Sequence, residues 1–292
     1  TKEEFIQLAQ KYKKNEGFDC VVPFSGGRDS CFVLNFIVNE LKMNPITYTY
    51  DWGMVTELAT RNISVVSEKL NVPNITIGAD FSKKRRNIRK NFQAWLKKPD
   101  LGMLNLLTAG DKHFFKYIND VKQITGTSLN IWGTNALETT FFKAGFLGVK
   151  PYFEDTKVYT TGFKKQLKYQ LLRLKKMFIN PRYFNRSIFD TLSGDYYRSF
   201  SPKSDYFHLF DYISWNENIV EETVFSLGFE KAIDTNTTWR IGDGTAGIYN
   251  YIYYKLAGFT ENDTFRSNQI REGLMTREEA MQIKIGRASC RE

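Results

Sequence analysis

Apolar positions along this chain follow two alternating periods, and their order predicts most of its elements. Phe5, Ile6, Leu8, Ala9 and Tyr12 recur at helical spacing among charges, which predicts a lead-in helix over 1–16 with a break at 15–18. Cys20 to Phe24 is then a short apolar run of strand length, and Ser30 to Leu41 returns to helical spacing. Ile46 to Trp52 alternates β-branched and aromatic residues, as a second strand does. Leu58, Ile63, Val66 and Leu70 share one face of a helix over 56–70. Strands over 74–77 and 129–132 complete the series, and a helical pattern runs through Phe114, Tyr117, Ile118 and Val121. Strands alternating with helices from Cys20 to Glu138 predict an α/β fold built on a doubly wound, mainly parallel sheet.

The pattern changes after residue 150. Pro151 to Ser204 is rich in Lys, Arg, Tyr and Phe, and Phe163 to Phe178 forms a basic amphipathic helix whose cationic face meets solvent, an acidic partner or a membrane surface. His208 to Trp215 reads as strand, followed by a helix from Asn218 to Leu227 that ends at Gly228. A Gly-bearing loop over 234–245 opens an aromatic helix from Ala246 to Ala257, and Thr276 with Glu279 has capping-box spacing. The expected division is a nucleotide-binding core over 1–150 and a mostly helical region over 151–285 that completes the sheet and the substrate site. From Gly286 the helical pattern breaks, so 286–292 is set apart from the fold.

Composition adds limits. Hydrophobic residues make up 42% of 292, enough for a large core. Lysine and arginine exceed the acids by 41 to 32, and the net charge of +9 suits a polyanion: ATP, a nucleotide-linked substrate or nucleic acid. No apolar run has the length of a membrane span and no signal pattern opens the chain, so a soluble, cytoplasmic protein is expected. Cys20, Cys31 and Cys290 have neither disulfide-framework nor zinc spacing. The densest basic run, Ser82 to Lys90, is a solvated helix face or, through Arg86 or Lys90, a phosphate contact.

The candidate chemistry centres on Ser25-Gly26-Gly27-Arg28-Asp29-Ser30, placed between a strand and a helix. Two glycines permit a tight bend, and the free N–H groups and positive dipole end of the following helix favour an anion. Ser25 and Ser30 add hydroxyls, and Asp29 offers a hard carboxylate for Mg²⁺. The Lys-Ser/Thr pair of a Walker loop is missing. A polar loop, Gly133 to Glu138, follows the strand over 129–132, and Tyr50-Asp51 ends the second strand at the sheet edge where nucleotide folds place ligands.

The hexapeptide resembles the SGGxDS loop of the N-type ATP pyrophosphatases, the PP-loop superfamily, whose fold is the adenine nucleotide alpha hydrolase type. Within it, Thr47 to Gly53, Trp132 to Glu138, Trp239 to Gly244 and Ile270 to Ala280 resemble the N-acetyl sugar amidotransferases of bacterial surface-polysaccharide synthesis, including lipopolysaccharide O-antigen. Members often carry a cysteine-rich segment before the core, which this sequence does not show. The resemblance implies an AMP-forming ligase: ATP adenylates an acetamido oxygen of a nucleotide-linked N-acetyl sugar, and ammonia displaces AMP to leave an acetamidino group. It implies that Ser25, Gly26, Gly27 and Ser30 hold the phosphates, that Asp29 holds Mg²⁺, and that adenine lies along Tyr48, Tyr50 and Asp51. Asn135, Glu138, Arg240 and Asp243 are then candidates for the sugar or the departing pyrophosphate, with Asp29, Ser30, Glu138 and Arg240 as catalytic residues. Asp51 and Glu138 read equally well as helix caps, and Arg240 with Asp243 as a local ion pair. No glutaminase signature accompanies His113 and His208, so a separate glutaminase subunit or free ammonium is the expected ammonia source. The rival readings are a tRNA-modifying pyrophosphatase of the same fold and a regulatory module that binds ATP without cleaving it.

Overall fold

The computed structural model of the chain describes residues 1–108, 110–150, 163–233 and 238–288. In order come α1 (Lys2–Gln10), β1 (Cys20–Pro23), α2 (Arg28–Asn35), β2 (Pro45–Asp51), α3 (Glu57–Leu70), β3 (Asn74–Gly78), α4 (Phe81–Lys97), α5 (Phe114–Thr125) and β4 (Leu129–Trp132). Then follow α6 (Phe141–Phe146), α7 (Phe163–Ile179), α8 (Ser187–Phe200), β5 (Tyr206–His208), α9 (Glu217–Ser226), α10 (Ala246–Ala257), α11 (Glu261–Arg271) and α12 (Arg277–Ala288).

Among the described residues the strands form one sheet in the order β3-β2-β1-β4-β5, and each neighbouring pair is parallel. From β1 the chain winds outward to β3, then crosses back to place β4 and β5 on the other side. At that reversal the loops after β1 and β4 diverge and leave a crevice at the carboxyl edge.

Helices cover both faces, and the side-chain period of two sorts β1 between them. Cys20 and Val22, with Leu129 and Ile131 of β4, pack against α1, α2, α3 and α9. Val21, Ile46, Tyr48 and Trp132 pack against Phe115, Ile118 and Val121 of α5. Burial on two sides explains why these strands read as unbroken apolar runs. A further core joins Trp95 of α4, Leu104 and Leu107, Met177 of α7 and Tyr249 and Tyr253 of α10. Among the described residues no helix is long and apolar enough to cross a membrane.

Four expectations change. The helix after β1 begins at Arg28 rather than Ser30, because Gly27 is its extended N-cap, and it passes into a π-helical turn over Phe36–Glu40. The predicted strand over 208–215 is confined to Tyr206–His208; a 3-10 turn at Leu209–Asp211 follows, and Leu209 and Trp215 are buried from non-strand positions. A short apolar run has this ambiguity, since a buried turn and a buried strand need the same residues. The basic run lies on α4, mainly exposed, but Lys84 turns inward to Asp190 at 3.2 Å. Finally, α12 continues through Gly286 to Ala288 instead of breaking there.

Candidate active site

The loop from β1 to α2 bends at Gly26, where φ is +69°. A Cβ there would stand 2.3 Å from the Ala59 carbonyl oxygen of α3, so only glycine lets the loop lie this close. Gly27 starts α2 with no side-chain cap, which leaves the first-turn N–H groups for an outside acceptor. Ser25 Oγ accepts from Gly27 N–H at 3.3 Å and lies 3.3 Å from Ser30 Oγ, whose hydroxyl donates to the Gly27 carbonyl at 2.9 Å. These groups line a crevice of about 460 Å³ together with Tyr48, Tyr50, Glu138, Arg240 and Asp243.

Asp29 is 9% exposed on the crevice wall. Its Oδ1 accepts the Trp215 indole N–H at 3.0 Å and lies 3.4 Å from Arg28 Nε. Burial pushes its carboxyl up to about 7, and the Glu138 charge adds to the rise against the lowering pull of Arg28, Trp215 and Asn135. Arg28, the fourth residue of the hexapeptide, is itself buried. Its Nη1 donates to Glu217 at 3.0 Å and Thr238 at 2.9 Å, and its guanidinium lies 4.8 Å from the Trp215 ring. Arg266 of α11 grips the same Glu217 with both terminal nitrogens. The loop over 25–30 is thereby bolted to α9 and α11.

Magnesium is bound by one or two carboxylates and otherwise by waters and phosphate oxygens. Asp29 and Glu138 meet that demand on the crevice wall, and among the described residues no group of three or more potential ligands gathers to hold a metal alone. This donor set fits a cation that arrives with a phosphate.

The opposite wall is the segment over 238–245. Val55 and Asp243 form an antiparallel bridge, Gly244 N–H donates to Met54 O at 2.8 Å, and Thr56 Oγ1 donates to Ile241 O at 2.7 Å. A Cβ on Gly242 would lie 3.2 Å from the Ser25 carbonyl, so the segment closes directly over the loop at 25–30. Arg240 sits here with φ +48° and its Nε 3.5 Å from Glu261 Oε2. Burial works against the guanidinium's charge, but Glu261, Tyr249, Glu138 and Asp243 outweigh it and hold the proton more firmly than usual. Glu261, 0% exposed, also pairs with Lys143; burial alone would raise its carboxyl, and these two cations keep it below the ordinary range. The alternative of a local Arg240–Asp243 ion pair is not formed. Asp243 instead accepts from Thr245 N–H at 2.8 Å and hydroxyl at 2.6 Å, and from Tyr249 OH at 2.8 Å.

The remaining expected residues divide. Tyr48 is buried in the sheet core below the crevice floor, and its carbonyl accepts from Phe24 N–H at 2.8 Å on the β1 side. Tyr50 directs its backbone the same way by strand parity, past the point where β1 has turned off. Asp51 uses its carbonyl toward Ala79 and its Oδ1 for Gly53 N–H at 2.8 Å, so it secures a turn beside the crevice. Asn135 caps the 3-10 turn Ala136–Glu138 by accepting from Leu137 N–H at 2.9 Å, which leaves the Glu138 side chain on the wall. Arg86 and Lys90 do not line the crevice.

Trp215, Thr238, Glu261 and the anchoring role of Arg28 have no local sequence signal, because their partners come from distant segments. Asp111 also lines the crevice, and burial raises its carboxyl against the pull of Lys112. Its place directly after the turn at Gly110 was the one signal open to a sequence reading.

By sequence, the chain matches no protein-family model and no curated protein. Among solved structures it is similar to an NMN synthetase from Francisella tularensis (14% identity, TM-score 0.44, covering 97% of this chain and 91% of that one). It is also similar to an NH3-dependent NAD synthetase from Campylobacter jejuni (16%, TM-score 0.33, 69% and 96%) and a U34-tRNA thiolase from Methanococcus maripaludis (12%, TM-score 0.38, 94% and 80%).

Proposed function

We propose that this protein is an AMP-forming, ATP-dependent amidotransferase that converts an acetamido group of a nucleotide-linked N-acetyl sugar into an acetamidino group. One observation carries the ATP half: the Ser25–Ser30 bend, held open by Gly26 at the switch point of a parallel sheet, aims uncapped helix N–H groups into a crevice walled by Asp29, Glu138 and Arg240. The acetamido half rests on the sequence resemblance.

An amide oxygen is a poor leaving group. Adenylation turns it into one: the oxygen bonds to the α-phosphorus, pyrophosphate departs, and ammonia then adds at carbon as AMP leaves with that oxygen. The α2 N–H groups with Ser25 and Ser30 bind the phosphates, Arg240 neutralises charge on the departing pyrophosphate, and Glu138 accepts a proton as ammonia adds. The backbone of Tyr50 offers an edge to adenine. Mg²⁺ bound by Asp29 would neutralise phosphate charge.

Ammonia comes from a separate glutaminase or from solution. Burial pushes both described thiols, Cys20 and Cys31, well above the ordinary cysteine range, so neither is a ready nucleophile. Cys290 lies outside the described residues. Incubation with ATP, Mg²⁺, ammonium and a panel of nucleotide-linked N-acetyl sugars is expected to give AMP, pyrophosphate and a sugar with one oxygen exchanged for NH. ATP left intact with every sugar defeats the proposal. The exposed cations of α4 and the net charge of +9 favour a second reading, a tRNA-modifying enzyme of the same chemistry. Salt-dependent tRNA binding with tRNA-stimulated ATP cleavage selects it.

A further inference from the structure

A second cavity, about 560 Å³, lies behind the wall that closes the crevice. The wall is the pairing of residues 54–56 with 242–244, and Val55 borders both spaces. The cavity's body is apolar, formed by Ile88 and Phe92 of α4, Leu107, and Ile248 and Tyr249 of α10. Its edge is cationic. Arg85 and Arg89 stand one turn apart on the same face of α4, both exposed. Arg85 Nε donates to the Gly53 carbonyl at 2.9 Å, which orients the guanidinium and occupies one of its five donors. Among the described residues lining the cavity, none carries a carboxylate to neutralise the two.

Two unneutralised guanidiniums beside an aromatic, apolar hollow complement a ligand with a flat ring and adjacent anionic groups. The size suits such a ligand, since small-molecule sites run from about 300 to 1,000 Å³. Two nucleotides reacting together also need two beds, and the crevice has one phosphate loop.

Building on the amidotransferase reading, we infer that this cavity binds the nucleoside diphosphate end of the acceptor. The base lies against Phe92 and Tyr249, the diphosphate meets Arg85 and Arg89, and the attached sugar reaches past Val55 into the crevice. The wall then works as a divider that keeps the two nucleotides apart while the sugar with its acetamido group reaches across.

Calorimetric titration of the full chain with UDP, CDP, GDP and dTDP, each with α,β-methylene ATP already saturating, tests this without any turnover. One diphosphate is expected to bind at one per chain while the ATP analogue stays bound. Arg89→Glu is expected to weaken it by about tenfold or more, leaving the analogue's affinity unchanged; Arg89 is exposed and makes no ion pair among the described residues, so the fold is not at stake. Phe92→Ala gives the same pattern through lost ring contact. No binding of any diphosphate, displacement by the analogue, or an Arg89→Glu affinity equal to wild type overturns the inference. A diphosphate that binds as expected while ATP never yields AMP supports the cavity as a site and overturns the reaction assigned to the crevice.

Discussion

The indole N–H of Trp215 donates to Asp29 Oδ1 at 3.0 Å across a sequence separation of 186 residues. The carboxylate on the crevice wall is thus oriented from the far part of the chain. The same indole packs on the Arg28 guanidinium and edge-on to Phe265.

Trp215→Phe keeps that packing and removes only the donor. Hydrogen bonds to charged groups are worth about 1.5–3 kcal/mol, so Mg²⁺-dependent ATP binding is expected to weaken by about tenfold or more. Equilibrium titration measures this directly, and an unchanged affinity would show that the indole has no part in presenting Asp29.

Asp29→Asn keeps the shape and the acceptor for Trp215 while it removes a buried acid whose pKa burial has lifted to about 7. Pyrophosphate release is expected to vanish, with thermal stability equal to wild type or higher, as when a strained functional group is relieved. Retained turnover refutes the role given to Asp29.

Gly26→Ala places a methyl group 2.3 Å from the Ala59 carbonyl oxygen at a φ of +69°. The backbone term alone is about 1 kcal/mol, and the clash adds to it by moving α3 or the loop. Lower stability in denaturant together with lost ATP binding is expected; a variant that melts like wild type and binds ATP normally contradicts the close approach.

Glu261→Gln removes the fully buried carboxylate that half-buried Arg240 and Lys143 share. Breaking a fully buried pair costs about 3–5 kcal/mol, and the partial exposure of both cations keeps the expected loss below that. Adding Lys143→Met is expected to recover part of the loss, because one of the two stranded charges is then removed. Strict additivity of the two substitutions in urea unfolding excludes the coupling.

For Glu217, burial favours the protonated form, but the hydrogen bond and charge of Arg266 and the charge of Arg28 prevail and depress its pKa below 4.5. A depressed carboxylate stabilises the fold above its unfolded pKa, and the contribution is lost as pH falls through the folded value. The stability gap between wild type and Glu217→Gln is therefore widest at neutral pH and narrows once pH drops below 4.5. Urea titrations across that range check the sign, and a gap independent of pH counts against it.

Arg240 shows why a sequence reading of the site reaches only part of it. Its neighbour three positions on, Asp243, is the nearest acid along the chain, yet a left-handed backbone at Arg240 and the packing of α11 give it Glu261 instead. Asn135 and Glu138 were equal candidates in the sequence because both follow a strand, but Asn135 caps the turn and only Glu138 reaches the crevice wall, a division set by local geometry. Likewise Leu209 to Trp215 carries the composition of a strand, and the sheet takes only the residues up to His208.

Local order alone determined the alternating strands and helices, the parallel sheet and the glycine bend before α2, because each follows from side-chain period, backbone freedom or the polarity of a helix end within a few residues. Tertiary structure alone decided that Trp215 orients Asp29, that Arg28 anchors to Glu217 and that a second cavity lies behind Val55. Those contacts join segments far apart in the chain, and charge partners and cavity walls are chosen by which elements pack together, a choice no short stretch of residues contains.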